Sequence, residues 1–221
     1  IFYKQIIEIL LAPATAITDE PGHLVFTEVT EMFAVAMKIS LTSGIVLASP
    51  IVLSQIVLFV APGLTSREKR LLYAFLPGIL LCFLAGTAFG YYILIPPAIS
   101  FLVNFGGDIA EPMIRIGNYI NLAVRLLFWM GVSFETPAIM FVLTKLRIGS
   151  ATIYSRWRRY WVVLAFILGA IITPTFDPIN QSLVAVPLIL LYEIGIWLSR
   201  LAGRGTHDMD TKEAATKRPS S

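Results

Sequence analysis

Residues 39–60 read ISLTSGIVLASPIVLSQIVLFV, an uncharged run bounded by Lys38 on one side and by Ala61-Pro62-Gly63 on the other. A helix needs about 20 apolar residues to cross roughly 30 Å of hydrocarbon, so this stretch has the length of one membrane crossing. The rest of the 221-residue chain is of the same character: 57% of its residues are apolar and 14% charged, and the mean hydropathy is +0.77. That balance excludes a water-soluble domain and predicts an all-α, polytopic bundle of membrane helices.

The next run is uncharged from Leu71 to Gly107. As one helix it would measure about 55 Å, too long for a single crossing. Pro96-Pro97 is expected to end the span at Ile95, leaving residues 98–105 on or in the far interface. A third span is expected at 120–143, carrying Arg125 and Glu135 within it. The fourth and fifth, 160–172 and 183–198, are short, and Thr173-Pro174-Thr175-Phe176-Asp177-Pro178 between them predicts a tight helical hairpin. Residues 1–201 then form a single transmembrane domain. The mixed-charge stretch 202–221 reads as a disordered cytoplasmic tail.

The basic residues orient these spans. Arg67, Lys69 and Arg70 follow the first; Lys145, Arg147, Arg156, Arg158 and Arg159 follow the third; Arg200, Arg204, Lys212, Lys217 and Arg218 close the chain, so thirteen of the 17 lie on one face. Lys4, Lys38 and Arg115 are on the other, and Arg125 is within a span. The positive-inside rule places the rich face, and the C-terminus, in the cytoplasm. Residues 1–30, with Glu8, Asp19, Glu20 and Glu28, then lie outside, which predicts a further span upstream and six in the whole protein. A net charge of +3 is too small to argue for nucleic acid.

Few groups are equipped for chemistry. His23 and His207 are the two histidines and Cys82 the single cysteine, so a buried Ser/His dyad, a disulfide framework and a His- or Cys-rich metal site are all excluded. No phosphate-binding loop is present, and no cofactor is expected. Gly86-x-x-x-Gly90 has the small-residue spacing of close helix packing.

Glu135 is the informative residue. It falls deep in the third span, and a short carboxylate leaning toward the helix N-terminus is aimed at the membrane centre. It needs a polar partner on another helix, a water-filled cavity or a proton, and an intramembrane acid is a functional candidate by default; a neutral acid bonding a neighbouring helix is the structural alternative. Arg125, ten residues away and nearly a quarter turn out of register, can snorkel to the outer edge and is not expected to pair with Glu135. Gln55, Asn180 and Gln181 are costly in lipid unless they face other helices or water, and interhelical bonding would satisfy them. Glu193, in the inner half of the last span, fits packing or interfacial anchoring. Glu68 is the one carboxylate in the two internal cytoplasmic loops, and a carboxylate can take a guanidinium bidentately.

Several strings, in order, carry a family likeness: Phe26-Thr-Glu-Val-Thr-Glu-Met-Phe33 with Lys38, Ala48-Ser-Pro-Ile-Val-Leu-Ser-Gln55, Phe59-Val-Ala-Pro-Gly-Leu64, Glu68-Lys-Arg70, Gly131-Val-Ser-Phe-Glu-Thr-Pro137, Thr173-Pro-Thr-Phe-Asp-Pro178 with Gln181, and Leu191-Tyr-Glu-Ile194. Over residues 1–201 the chain resembles the TatC family, the multi-pass core of the twin-arginine protein translocase. The resemblance implies a non-enzymatic subunit of the prokaryotic cytoplasmic membrane that recognises twin-arginine signal peptides of folded precursors. It also implies single-span TatA and TatB partners, homo-oligomers within a larger complex, and transport driven by the proton-motive force. By the same resemblance Glu68, Glu135 and Gln55 are signal-peptide-binding residues. Gln181, Asp177 and Glu193 belong to a partner-docking surface, and Pro50, Lys38 and Pro137 are structural. Arg125 departs from the family pattern. The family's cytoplasmic histidine-leucine-x-glutamate-leucine-arginine motif is absent from these 221 residues.

A rival reading makes the chain a proton-coupled secondary transporter of a small solute with Glu135 as the relay. It predicts inverted repeats and broken helices at matching positions, and the sequence shows no internal repeat.

Overall fold

The computed structural model describes residues 3–15, 24–25, 30–59, 66–104, 114–146, 148–173 and 178–216. The elements are α1 (Tyr3–Thr15), β1 (Leu24–Val25), α2 (Glu31–Phe59), α3 (Ser66–Phe89), a π-helical turn (Gly90–Leu94), α4 (Ile95–Asn104), β2 (Ile114–Arg115), α5 (Ile116–Lys145), α6 (Ala151–Ile172) and α7 (Pro178–Thr216). Helices dominate, as the composition requires. The one exception among the described residues is a two-residue parallel pairing, Leu24 with Ile114 and Val25 with Arg115.

Helix α5 is the centre of the bundle. It packs along α3 and α7, while α6 pairs with α7 and α2 leans more lightly on α5 and α3. The core runs through Ile39 of α2, Leu94 and Ile95 at the π turn, Ile120, Leu126 and Met130 of α5, Ile172 of α6 and Val184 of α7. Apolar side chains outside this core stay exposed, among them Leu41, Ile51, Leu81, Ile93, Val163, Ile171, Leu190 and Trp197. An apolar exterior around an apolar core is the pattern of a bundle whose solvent is lipid. Among the described residues, four helical stretches are long and apolar enough to cross a membrane: Glu31–Ser49, Pro77–Asn104, Ile116–Lys145 and Pro178–Gly203. Helix α6 falls short of that measure because Arg156, Arg158 and Arg159 lie in any stretch of its 22 residues long enough to span.

Three sequence expectations differ from the fold. Pro96-Pro97 does not end the second span; the helix passes through it to Asn104. The proline rings would meet the carbonyls of Tyr92 and Ile93, four residues earlier, and the wider π turn over Gly90–Leu94 relieves that clash, with the N–H of Ile95 donating to the Gly90 carbonyl. Helix α6 starts at Ala151, well before residue 160, because Ser150 caps it by accepting from the N–H of Ile153 at 3.4 Å. The backbone is helical over 202–216, where the sequence predicts disorder. No proline interrupts it before Pro219, and Gly203 and Gly205 each cost a helix only about 1 kcal/mol.

Candidate functional site

Glu135 lies where α5 meets α3, and glycines make the two helices meet closely. A Cβ added at Gly86 of α3 would stand 2.5 Å from the Met130 carbonyl and 2.8 Å from Phe134, and one at Gly131 of α5 would stand 2.6 Å from the Phe83 ring. Each helix therefore seats a bulky group in the other's notch, and the Gly86-x-x-x-Gly90 spacing serves packing. The closure leaves Glu135 only 1% exposed; neither carboxylate oxygen makes a well-formed hydrogen bond among the described residues, and the backbone of Phe83 on α3 is the polar group beside it. Leaving a buried polar group unmatched costs roughly 2–7 kcal/mol. A group that costly, in a span otherwise built for packing, is the strongest chemical signal in the bundle.

Arg125 is exposed on α5 and makes no ion pair with Glu135. It lines a cavity of about 290 Å³ between α2 and α5, together with Lys38, Asn121, Phe128 and Trp129. Gln55 is exposed on α2, and no described contact joins it to Glu135. The side chains of Glu68 and Pro50 lie outside the described residues, as does Asp177 altogether; the α3 backbone at Glu68 begins at the bundle end that also carries Lys145 and Arg200.

The α6–α7 hairpin holds the remaining sequence candidates. Gln181 donates its amide to the Phe166 carbonyl at 2.7 Å, tying α7 to α6, and Gly169 lets the two come together because an added Cβ would meet the Gln181 carbonyl at 2.8 Å. Glu193 is paired bidentately with Arg158, at 2.6 Å to Nε and 2.8 Å to Nη2. Beside it Trp161 stacks on Tyr192 at 4.6 Å, and the Tyr192 hydroxyl donates to the Tyr154 carbonyl. Pro137, buried in α5, receives α7 at Gly195, where a Cβ would come within 3.3 Å of the Pro137 Cα.

Sequence reasoning missed the other end of the bundle. Glu31 at the start of α2 accepts from Arg115 at 3.4 Å and from the N–H of Gly117 at 3.3 Å, which clasps the first turns of α2 and α5 together. Pro13 in α1 has no N–H, so the carbonyl of Ile9 loses its helical donor; the Tyr91 hydroxyl replaces it at 2.6 Å, and Tyr119 donates to the neighbouring Leu10 carbonyl. The signal was present in Pro13: an orphaned carbonyl four residues earlier must find a donor.

With this arrangement in view, the comparisons decide the family. The profile of the family described as Sec-independent protein translocase protein (TatC) matches residues 1–187. The chain belongs to the TatC family. A TatC protein of Carboxydothermus hydrogenoformans is 43% identical over 199 residues, 90% of this chain and 81% of that relative. TatC of Aquifex aeolicus is 38% identical over 205 residues, 92% of this chain and 84% of its own. A crystal structure described as the twin-arginine translocase receptor TatC superposes with a TM-score of 0.81 at 38% identity, covering 91% of this chain and 88% of that one. The chain is thus a membrane component of a Sec-independent protein translocase, and within this TatC fold Glu135 is a buried acid between α3 and α5.

Proposed function

We propose that the chain is the subunit that recognises twin-arginine signal peptides of folded precursors and gathers the single-span TatA and TatB around it, without catalysing a covalent step. The observation that carries this reading is the match over nine-tenths of the chain to a solved structure described as the twin-arginine translocase receptor. The chemistry agrees with it. Glu68 lies among Arg67, Lys69 and Arg70, and its carboxylate can take a guanidinium in a two-bond fork that an ammonium cannot reproduce. Glu135 is the buried acid of the α3–α5 contact, and Gln55 is exposed on α2; in this reading both belong to the region that receives the apolar stretch after the arginine pair. Gln181, Asp177 and Glu193 mark the hairpin as the partner-docking surface. Of these, Glu193 is paired with Arg158 across the two helices of the hairpin. Pro50, Lys38 and Pro137 keep architectural roles.

In this reading the membrane is the prokaryotic cytoplasmic membrane, the C-terminus is cytoplasmic, several copies join in one complex, and the proton-motive force drives transport. Photo-crosslinking in membranes tests the assignment of the two acids. A photoreactive side chain at position 68 is expected to capture the arginine-pair end of a bound signal peptide, and one at position 135 its apolar stretch. Capture of neither, with a folded protein and a transport-competent precursor, overturns it.

A further inference from the structure

We propose that the groove between the N-terminal halves of α2 and α5 is a site for one anionic glycerophospholipid, its phosphate held by Lys38 and Arg125 and an acyl chain laid against Ile45, Phe128 and Trp129. The proposal goes beyond signal recognition and stands whether or not that reading holds. The two helices enter the bilayer from the same end, because Glu31 clasps their first turns through Arg115 and Gly117. From Glu31 to Lys38 is about 10 Å of helix axis, and from Ile116 to Arg125 about 14 Å. Long side chains lean toward the helix N-terminus, so both cations rise from there toward the headgroup region.

Both cations are exposed and neither has an acidic partner among the described residues. Glu31, the acid at the head of α2, is already taken by Arg115 and Gly117. Two bare cations in the flank of a membrane bundle call for an anion, and basic pockets between helices take lipid headgroups. The walls change character with depth: Lys38, Asn121 and Arg125 are followed by Ile45, Phe128 and Trp129, the last two rings in edge contact at 5.9 Å. Charge at the headgroup level and aromatic and aliphatic surface below it match an amphiphile better than a free anion. The cavity of about 290 Å³ admits a headgroup and the start of a chain, while Ile45 is half exposed and continues onto the lipid-facing side.

Native mass spectrometry of the purified full chain tests this with three probes: phosphatidylglycerol, phosphatidylcholine and inorganic phosphate. One phosphatidylglycerol is expected to be retained, and neither of the others. The double variant Lys38→Gln/Arg125→Gln is expected to weaken retention by about thirtyfold, at roughly fivefold per removed charge. Lys38→Arg/Arg125→Lys keeps both charges and is expected to keep the lipid, which separates lost binding from lost folding, and Arg159→Gln on α6 is expected to change nothing. Equal retention of phosphatidylcholine, equal binding of inorganic phosphate, or undiminished retention in the neutral double variant overturns the proposal. Displacement of the lipid by an apolar peptide, at the same strength in the neutral variant, makes the groove a peptide site and overturns it too.

Discussion

Glu135 and the glycines around it set opposite demands on the same helix pair. Gly86 and Gly131 bring α3 and α5 together, and the contact they create buries a carboxyl group with no well-formed hydrogen bond among the described residues. A residue kept for packing would be satisfied; one kept for function is tolerated at a cost. Glu135→Leu is therefore expected to raise the thermal stability of the purified protein, by about 1–3 kcal/mol from removal of an unmatched buried polar group, while lowering signal-peptide binding. Loss of stability in that variant, read by heat challenge followed by size-exclusion chromatography, makes the glutamate a packing residue. The glycines give a paired test. Gly86→Ala drives a methyl into the Met130 carbonyl and is expected to cost about 1–3 kcal/mol, whereas Gly44→Ala meets nothing within 4 Å and is expected to be neutral within about 0.5 kcal/mol. At this scale the sequence was readable where one residue type contradicts its surroundings. An acid in an apolar span stands out on inspection, as does the register gap that keeps Arg125 from Glu135. The partners of Glu193 and Glu31 were not readable, because Arg158 and Arg115 lie 35 and 84 residues away and pairing at that separation is decided by tertiary packing.

Among the elements, proline is read differently by the sequence and by the fold. Pro96-Pro97 looks like a terminator, yet the π turn absorbs both rings and the helix continues to Asn104. Local rules see the clash with the preceding turn but not the remedy, since widening the turn needs neighbours that hold it, here α5 packed on the π turn and a core that buries Leu94 and Ile95. Pro13 in α1 is remedied instead by a side chain from another element. A double-mutant cycle measures this: Tyr91→Phe is expected to cost about 0.5–1.5 kcal/mol in the parent, and markedly less in a Pro13→Ala background, where the backbone again supplies a donor for Ile9. Equal costs in both backgrounds mean that the hydroxyl is not replacing the missing N–H. The α6–α7 hairpin follows from its capping and turn residues, and its closeness from Gly169, but the length of α6 does not. Three arginines near its start look like a loop until Ser150 is seen to cap the helix before them.

For the whole molecule, the charge pattern and the fold describe the same object by independent routes. Thirteen basic residues gathered on one face predict which ends of the helices share a compartment, and the up-and-down order of α2, α3, α5, α6 and α7 brings those ends together. Cysteine accessibility tests the assignment in intact cells. In a Cys82→Ser background, Lys4→Cys is expected to react with a membrane-impermeant maleimide added outside, and Arg200→Cys only after the membrane is broken; the reverse pattern inverts the orientation. Fold class and family were legible because apolar runs of membrane length and ordered motifs survive without any alignment, and the comparisons agree with both. The groove at Lys38 and Arg125 was not legible, since its walls come from helices some 80 residues apart. Recognition of an arginine pair is tested by comparing one signal peptide in its twin-arginine and twin-lysine forms, binding to the full protein in membranes. The twin-arginine form is expected to bind at least about tenfold more tightly, a difference that Glu68→Ala abolishes, because only the guanidinium makes the two-bond fork with a carboxylate. Equal binding of the two forms, or an undiminished preference in Glu68→Ala, contradicts the account.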